Sequence, residues 1–213
     1  MKTGRQRSEV EVKIRELKQG EEELLKDFLY EAIFIPEGVE APSRDIIELP
    51  ELRIYYEDFG SGRADFCLVA TVEEAATGSE HSASNVAVGN DCLTPKASKG
   101  KVGIVPRPYE KVVGAVWTRL MKDYGYVDDE TPSFAISLYK EYRGKGYGTK
   151  LMQAMLELLR SKGFKKASLA VQKANYAVRM YEKVGFVTVD QNEEEFIMTY
   201  NESGKGTGKN ERG

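Results

Sequence analysis

Three glycines, Gly144, Gly146 and Gly148, alternate with larger residues, and Arg143, Lys145 and Lys150 surround them with positive charge. Ahead of them, Phe134-Ala135-Ile136-Ser137-Leu138 is a short apolar run of the kind that forms a buried strand. Behind them, Tyr147, Leu151, Ala154, Met155 and Leu158 recur at helical spacing. A strand, a glycine-rich turn and a helix N-terminus in that order suit an anion. The first amides of a helix have no internal partner, and the aligned peptide dipoles gather about half a positive charge there. Glycines let a phosphate approach the main chain closely. A pyrophosphate is therefore the natural ligand for Arg143, Gly144, Lys145, Gly146, Tyr147 and Gly148, mainly through main-chain amides, with Thr149 adding a hydroxyl. The plainer alternative is an ordinary strand-to-helix turn carrying solvated basic side chains.

Two familiar phosphate motifs do not fit. The nucleotide P-loop needs four residues between its first glycine and a Gly-Lys-Ser/Thr ending; Gly144 and Gly148 enclose three residues, and no such ending follows. The dinucleotide fingerprint runs G-x-G-x-x-G, whereas these glycines run G-x-G-x-G.

Read as Arg-x-x-Gly-x-Gly, residues Arg143, Gly146 and Gly148 resemble the acetyl-CoA motif of the GNAT superfamily of N-acetyltransferases. The stretch from Val171 to Phe186, with Asn175, Ala177, Met180, Tyr181 and Gly185 inside it, resembles that superfamily's second motif: a strand end, a short helix bearing a tyrosine, then Gly-Phe. With their strands, the two motifs cover Phe134 to Tyr200, about a third of the chain.

The resemblance implies an α/β (α+β) fold. Its mixed, mostly antiparallel central sheet would have six to seven strands flanked by about four helices. It also implies an N-acetyltransferase that moves an acetyl group from acetyl-CoA, a cosubstrate, to a primary amine by direct attack, with no metal. On this sequence the pantetheine arm would pair with main-chain groups around Ile136 and Leu138, and an amide near Ile136 or Ser137 would donate to the oxyanion. Tyr181 matches the superfamily's tyrosine and would be the general acid toward the leaving thiolate. A tyrosine near pKa 10 facing a thiol near 8.5 makes such a transfer feasible. One departure stands out. The superfamily's asparagine precedes this tyrosine by seven residues, but position 174 is Ala, and Asn175 precedes Tyr181 by six. One place is about 100° on a helix, so Asn175 is expected either to cap the helix or to contact the cofactor.

An alkyl amine has a pKa near 10.4, so its proton needs an acceptor. Asp128 and Asp129, with Glu130, precede the central strand and are the candidate general bases; each also reads as a solvated loop charge. Trp117 and Tyr139 could wall the acceptor site or simply pack in the core. Two other functions share part of this pattern: a non-catalytic acyl-CoA sensor, which would not depend on Tyr181, and an interaction module whose glycine turn binds no cofactor.

The rest of the chain must position these groups. Val10, Val12, Ile14 and Leu17 lie near a period of two and predict a first strand. Glu21 to Phe34 predicts a helix with Leu24, Leu25, Phe28, Leu29 and Ala32 on one face. Ser43 is a candidate N-cap for a short helix through Leu49, and Pro50 a start for another that includes Tyr55 and Tyr56. Ala64 to Glu73 predicts a second strand, with Cys67 a small core residue, and Lys111 to Met121 a third, in which Gly114 marks a bulge or a close approach. Gly163 stops the long helix and Gly185 the short one. Ala167 to Val171, Phe186 to Asp190 and Glu195 to Tyr200 complete the strands. Residues 1–200 read as one acetyltransferase domain. Residues 75–110 read as a long, mostly disordered insertion that could instead hold a small hairpin, and residues 201–213 as a disordered tail.

Composition narrows the rest. A formal charge of −3 over 213 residues argues against general nucleic-acid binding. The acidic helices after the first strand suggest a cationic acceptor, a small molecule or a peptide. Cys67 and Cys92 are too few for a disulfide framework. One histidine, His81, and two scattered cysteines cannot assemble a metal cluster. No apolar run approaches the length of a membrane span, and no secretory signal is visible, so a cytoplasmic protein without a membrane partner is expected. Monomer and homodimer are equally compatible with the sequence.

Overall fold

The computed structural model describes residues 11–74 and 109–202. The calls on His81, Cys92, the terminal tail from 203 and residues 75–108 lie outside that set. Among the described residues the elements are β1 (Lys13–Glu16), α1 (Leu24–Ala32), a 3-10 turn (Arg44–Glu48), α2 (Pro50–Arg53), β2 (Phe66–Glu74) and β3 (Tyr109–Arg119). They continue with β4 (Ser133–Leu138), a 3-10 turn (Lys140–Tyr142), α3 (Tyr147–Ser161), β5 (Lys166–Gln172), α4 (Val178–Val184), β6 (Val187–Gln191) and β7 (Glu195–Asn201). The seven strands form one mixed, mostly antiparallel sheet in the order β1-β2-β3-β4-β5-β7-β6. β4 and β5 pair in parallel; β1–β2, β3–β4, β5–β7 and β7–β6 are antiparallel.

The sheet has a core on each face. Leu68, Ala70 and Val72 of β2 and Phe134 and Leu138 of β4 pack with Leu151, Met152, Met155 and Leu159 of α3 and Tyr181 of α4. On the other face Cys67 and Val69 of β2, Ala115 and Trp117 of β3 and Ala135 of β4 pack with Leu25, Phe28 and Leu29 of α1 and with Ile47 and Tyr55. Covering both faces explains why β2 and β4 read as continuous apolar runs rather than as alternating ones. Cys67 is a core residue as expected, and burial pushes its thiol pKa up.

Several boundaries differ from expectation. Helix α1 starts at Leu24 because Glu21, expected inside it, bonds elsewhere: its carboxylate accepts from Arg15 at 2.7 and 2.9 Å and from the Lys18 amide at 2.9 Å. At the other end Ile33 turns to an extended conformation, φ −64° and ψ 120°. Ser43 precedes a 3-10 turn but makes no side-chain cap, and Tyr55 and Tyr56 follow α2 rather than lying in it. Tyr109 and Glu110, expected in the insertion, begin β3. They belong to a second compact unit, Glu73–Lys111, in which Lys111 Nζ meets Glu74 Oε1 at 3.1 Å and Tyr109 OH donates to Glu74 Oε2 at 2.7 Å. Everything discussed below lies in the other unit.

Of its two expected roles Gly114 takes the close approach: a Cβ built on it would meet Leu138 Cδ2 at 2.3 Å and Ser137 O at 3.0 Å. The register with β4 runs through it without a shift, from Arg119↔Ser133 to Gly114↔Leu138. Gly114→Val should therefore cost about 1–3 kcal/mol of stability through overpacking and displace Leu138. Chemical denaturation should show the loss, and unchanged stability would mean that the Leu138 side chain yields freely.

Candidate active site

The site begins where the sheet fails to close. β3 and β4 pair along the whole of β4, from Arg119↔Ser133 to Gly114↔Leu138, but β4 and β5 share a single pair, Ser133↔Ser168. Beyond it the two parallel strands part. The start of β4 is pinned: Ser133 Oγ and Tyr55 OH both donate to Asp123 Oδ2, at 2.6 and 2.7 Å, and the Gly125 amide donates to Oδ1 at 3.1 Å. Burial holds the Asp123 carboxyl above the usual carboxylate range against those three donors.

Main-chain groups of successive strand residues point to opposite neighbours. The Tyr139 amide donates to Val113 O in β3 at 3.0 Å, while Pro132 O accepts from the Ser168 amide in β5 at 2.9 Å. Odd-numbered residues of β4 thus address β3, and even-numbered ones address β5. The amide and carbonyl of Ile136 and the amide of Leu138 consequently point into the gap, past the last β4–β5 pair.

A groove of about 740 Å³ occupies that end of the sheet. Ile136, Ser137 and Leu138 form its floor; Arg143, Gly144, Gly146, Gly148 and Thr149 line it from the turn, and Asn175, Met180 and Tyr181 from α4 and its approach. Gly144 and Gly146 sit at φ 72° and 82°, conformations that side-chain-bearing residues rarely adopt. Gly146 is the N-cap of α3, with no side-chain cap, and the Lys150 amide donates to Gly146 O at 3.2 Å. Among the described residues the amides of Gly148 and Thr149, in the first turn of this fifteen-residue helix, have no main-chain partner.

Arg143 is placed differently from the simplest expectation. Its guanidinium does not reach outward for an anion. Nε donates to Leu138 O at 2.7 Å, and Nη2 donates to Glu31 O at 3.0 Å and Glu31 Oε2 at 2.7 Å. It therefore ties the turn to the last carbonyl of β4 and to the last turn of α1 on the opposite face. Ser137 is likewise committed: its hydroxyl donates to Phe28 O of α1 at 2.6 Å.

Tyr181 lies on the buried face of α4 and is 8% exposed. Phe186 flanks its ring at 6.1 Å between centroids. Among the described residues its hydroxyl has no hydrogen-bond partner, and the residue lines the groove. Burial, with a smaller effect from Tyr176, pushes its pKa above the ordinary value of 10. Asn175 also lines the groove, but its Oδ1 accepts from the Ala177 amide at 2.9 Å. It therefore holds the turn ahead of α4, which begins at Val178 rather than at position 174 or 175.

The other sequence candidates scatter. Lys145 is exposed, with Nζ 5.4 Å from the Tyr142 ring centroid. The Tyr147 side chain is buried in the α3 core. Asp128 and Asp129 are not brought to the groove. They precede the opposite end of β4, and the strand's five steps span about 17 Å. Asp128 Oδ2 meets Lys166 Nζ at 3.4 Å, and Asp129 Oδ1 accepts from Tyr126 OH at 2.9 Å. Trp117 is fully buried, donating to Tyr55 O at 3.1 Å, and Tyr139 packs on Phe28. Sequence reasoning missed Glu31, whose partner lies 112 residues away, and the segment after α1: Ile33, Phe34, Ile35 and Ala41 form the remaining wall of the groove. A local pattern carries no signal for either.

Residues 90–186 match the family model described as the acetyltransferase (GNAT) family. That stretch, just under half of the chain, is similar to the GNAT family. The chain is 34% identical over 80 residues to the uncharacterized N-acetyltransferase YycN of Bacillus subtilis (strain 168), a match covering 37% of this chain and 50% of the relative. It is 37% identical over 62 residues to the [ribosomal protein bS18]-alanine N-acetyltransferase of Haemophilus influenzae, covering 29% of this chain and 42% of the relative. The chain thus spans half or less of the length of these two curated relatives. In fold it is similar to the PaiA N-acetyltransferase of Thermoplasma acidophilum, solved in complex with coenzyme A. The TM-score is 0.51 at 16% identity, covering 90% of this chain and 99% of that one.

In this chain Arg143 spends its donors inside the protein, so Arg143→Lys should loosen the turn. A lysine cannot make the forked contact, and hydrogen bonds to charged groups are worth about 1.5–3 kcal/mol, here toward the low end because the pair is partly exposed. Calorimetric titration should show acetyl-CoA binding weakened on the order of tenfold, and Glu31→Gln should weaken it in the same direction. Wild-type affinity in both would mean that the knot does not shape the turn.

Proposed function

We infer that the chain is an N-acetyltransferase that takes the acetyl group of acetyl-CoA to a primary amine by direct attack. The observation that carries this reading is the parted β4–β5 ladder: unpaired main-chain groups of Ile136 and Leu138 lie between a helix-opening turn of free amides and an unpartnered tyrosine hydroxyl. Acetyl-CoA fits these donors: a diphosphate suits the turn, and an amide-bearing arm suits an open strand edge. The amides of Gly148 and Thr149 hold the diphosphate, with Gly144 and Gly146 giving the main chain its curvature. Ile136 and Leu138 hold the arm as a neighbouring strand would.

When bound, acetyl-CoA supplies an acyl carbon activated by its thioester. The reaction forms a C–N bond, breaks the C–S bond, releases the amine's proton to water and leaves a thiol. The Ile136 amide, facing the gap while that of Ser137 faces β3, donates to the acyl oxygen as negative charge builds on it. Tyr181 directs its hydroxyl to the departing sulfur. Its raised pKa keeps it protonated wherever amines react, but it also widens the gap to a thiol near 8.5. Full transfer from the phenol is then uphill, so Tyr181 acts mainly by hydrogen bonding to the sulfur as it gains charge, with the proton following. That weighting puts its worth at the lower end of general-acid effects, on the order of 10²-fold.

Tyr181→Phe should thus lower kcat on the order of 10²-fold and leave the dissociation constant for acetyl-CoA within a few-fold of wild type, read by thiol release and calorimetry. A variant with undiminished kcat would remove Tyr181 from the chemistry and favour a sensor. The pH profile makes a second check. The rate should climb with pH as the amine loses its proton, and Tyr181 should impose no falling limb below about pH 10.

A further inference from the structure

We propose that the acceptor is the α-amine of a peptide N-terminus whose leading residues are apolar, rather than a polyamine or a lysine side chain; this rests on the acetyltransferase reading above. The groove opens through the end of the sheet, so it has walls on both faces. The turn and α4 form one wall and serve acetyl-CoA. The segment that follows α1 forms the other, across β4 from Tyr181, and the amine must enter against it.

That wall is apolar and held in place. Ile33, Phe34, Ile35 and Ala41 line the groove. Its two ends are stapled together: Tyr30 OH donates to Pro42 O at 2.7 Å, and Arg44 pairs with Asp27 at 2.6 Å while lying 5.0 Å from the Tyr30 ring centroid. Phe34 and Ile35 follow the extended Ile33, and among the described residues their amides and carbonyls have no partner. Main-chain groups left open beside apolar side chains are what an extended peptide pairs with.

Charge points the same way. Residues 21–58 carry twelve carboxylates against three basic groups, which by composition favours a polycation. The fold directs that charge elsewhere. Glu21 pairs with Arg15, Glu23 with Lys26, Asp27 with Arg44 and Glu57 with Arg53. Among the described residues Glu31 is the single carboxylate lining the groove, and Arg143 neutralises it. The groove therefore offers neither a counter-charge for a polycation nor a free carboxylate base. Without a base the amine must arrive unprotonated. At pH 7.5 an α-amine with pKa near 7.7–8.0 is about a third free base, whereas a lysine near 10.4 is about 0.1%. The chemistry that this groove lacks is the chemistry an α-amine does not need.

The test is acetyl transfer by the full chain at pH 7.5, measured by thiol release and by mass spectrometry of the product. The acceptors are short peptides beginning with Leu, Phe or Glu, an N-terminally blocked peptide with an internal lysine, and spermidine. The expected result is a kcat/KM at least tenfold higher for the Leu or Phe peptides than for the others, with the acetyl group on the α-amine. Ile35→Glu and Phe34→Ala should each lower that value severalfold while acetyl-CoA still binds as in wild type. Preference for spermidine or the internal lysine, transfer to no peptide, or indifference to both substitutions would overturn the acceptor assignment. Loss of acetyl-CoA binding by the wild-type chain would instead overturn the acetyltransferase reading itself.

Discussion

The molecule is organised around a main-chain pairing that stops. Buried amides and carbonyls need partners, and a parallel strand pair normally supplies them along its length. Here the β4–β5 ladder is limited to Ser133↔Ser168. The start of β4 is fixed by the Tyr55–Asp123–Ser133 knot, so the strands part in one direction only. The main-chain groups of Ile136 and the Leu138 amide face the gap between the parted strands, and the groove, the turn and Tyr181 gather around it because α3 and α4 follow β4 and β5 directly.

Parting two central strands weakens a sheet, and the fold compensates around the gap. The Leu138 carbonyl, which would have faced β5, accepts from Arg143 instead, and Arg143 reaches on to Glu31 of α1. Ser137 is held to Phe28 O. These contacts bind the helix on one face to the glycine-rich turn that opens α3 on the other, across the very strand that lost its neighbour. A signature arginine that would be assigned to phosphate is thus also a structural tie, and its charge is balanced within the protein.

The electrostatics show how composition and placement diverge. The segment around α1 and α2 is rich in carboxylates, yet of these only Glu31 lines the groove, and the wall on that side is built from Ile33, Phe34 and Ile35. Asp128 and Asp129 diverge in the same manner. They are close to β4 in sequence, but a strand has two ends, and they stand at the one away from the groove.

The strand–turn–helix unit, the helical stop at Gly163, the role of Gly114 and the burial of Cys67 were legible in the sequence. All of these depend on local backbone preference or on side-chain periodicity, which act within a few residues. So was the fold, because the spacing of Arg143, Gly146, Gly148 and Tyr181 is itself a local pattern. The pairing of Arg143 with Glu31, the position of β7 between β5 and β6, the divergence of β4 from β5 and the apolar wall after α1 were decided by tertiary structure alone. Each joins groups far apart in the chain, and no local pattern records which distant atom will fill a given hydrogen bond once two faces of a sheet have been covered.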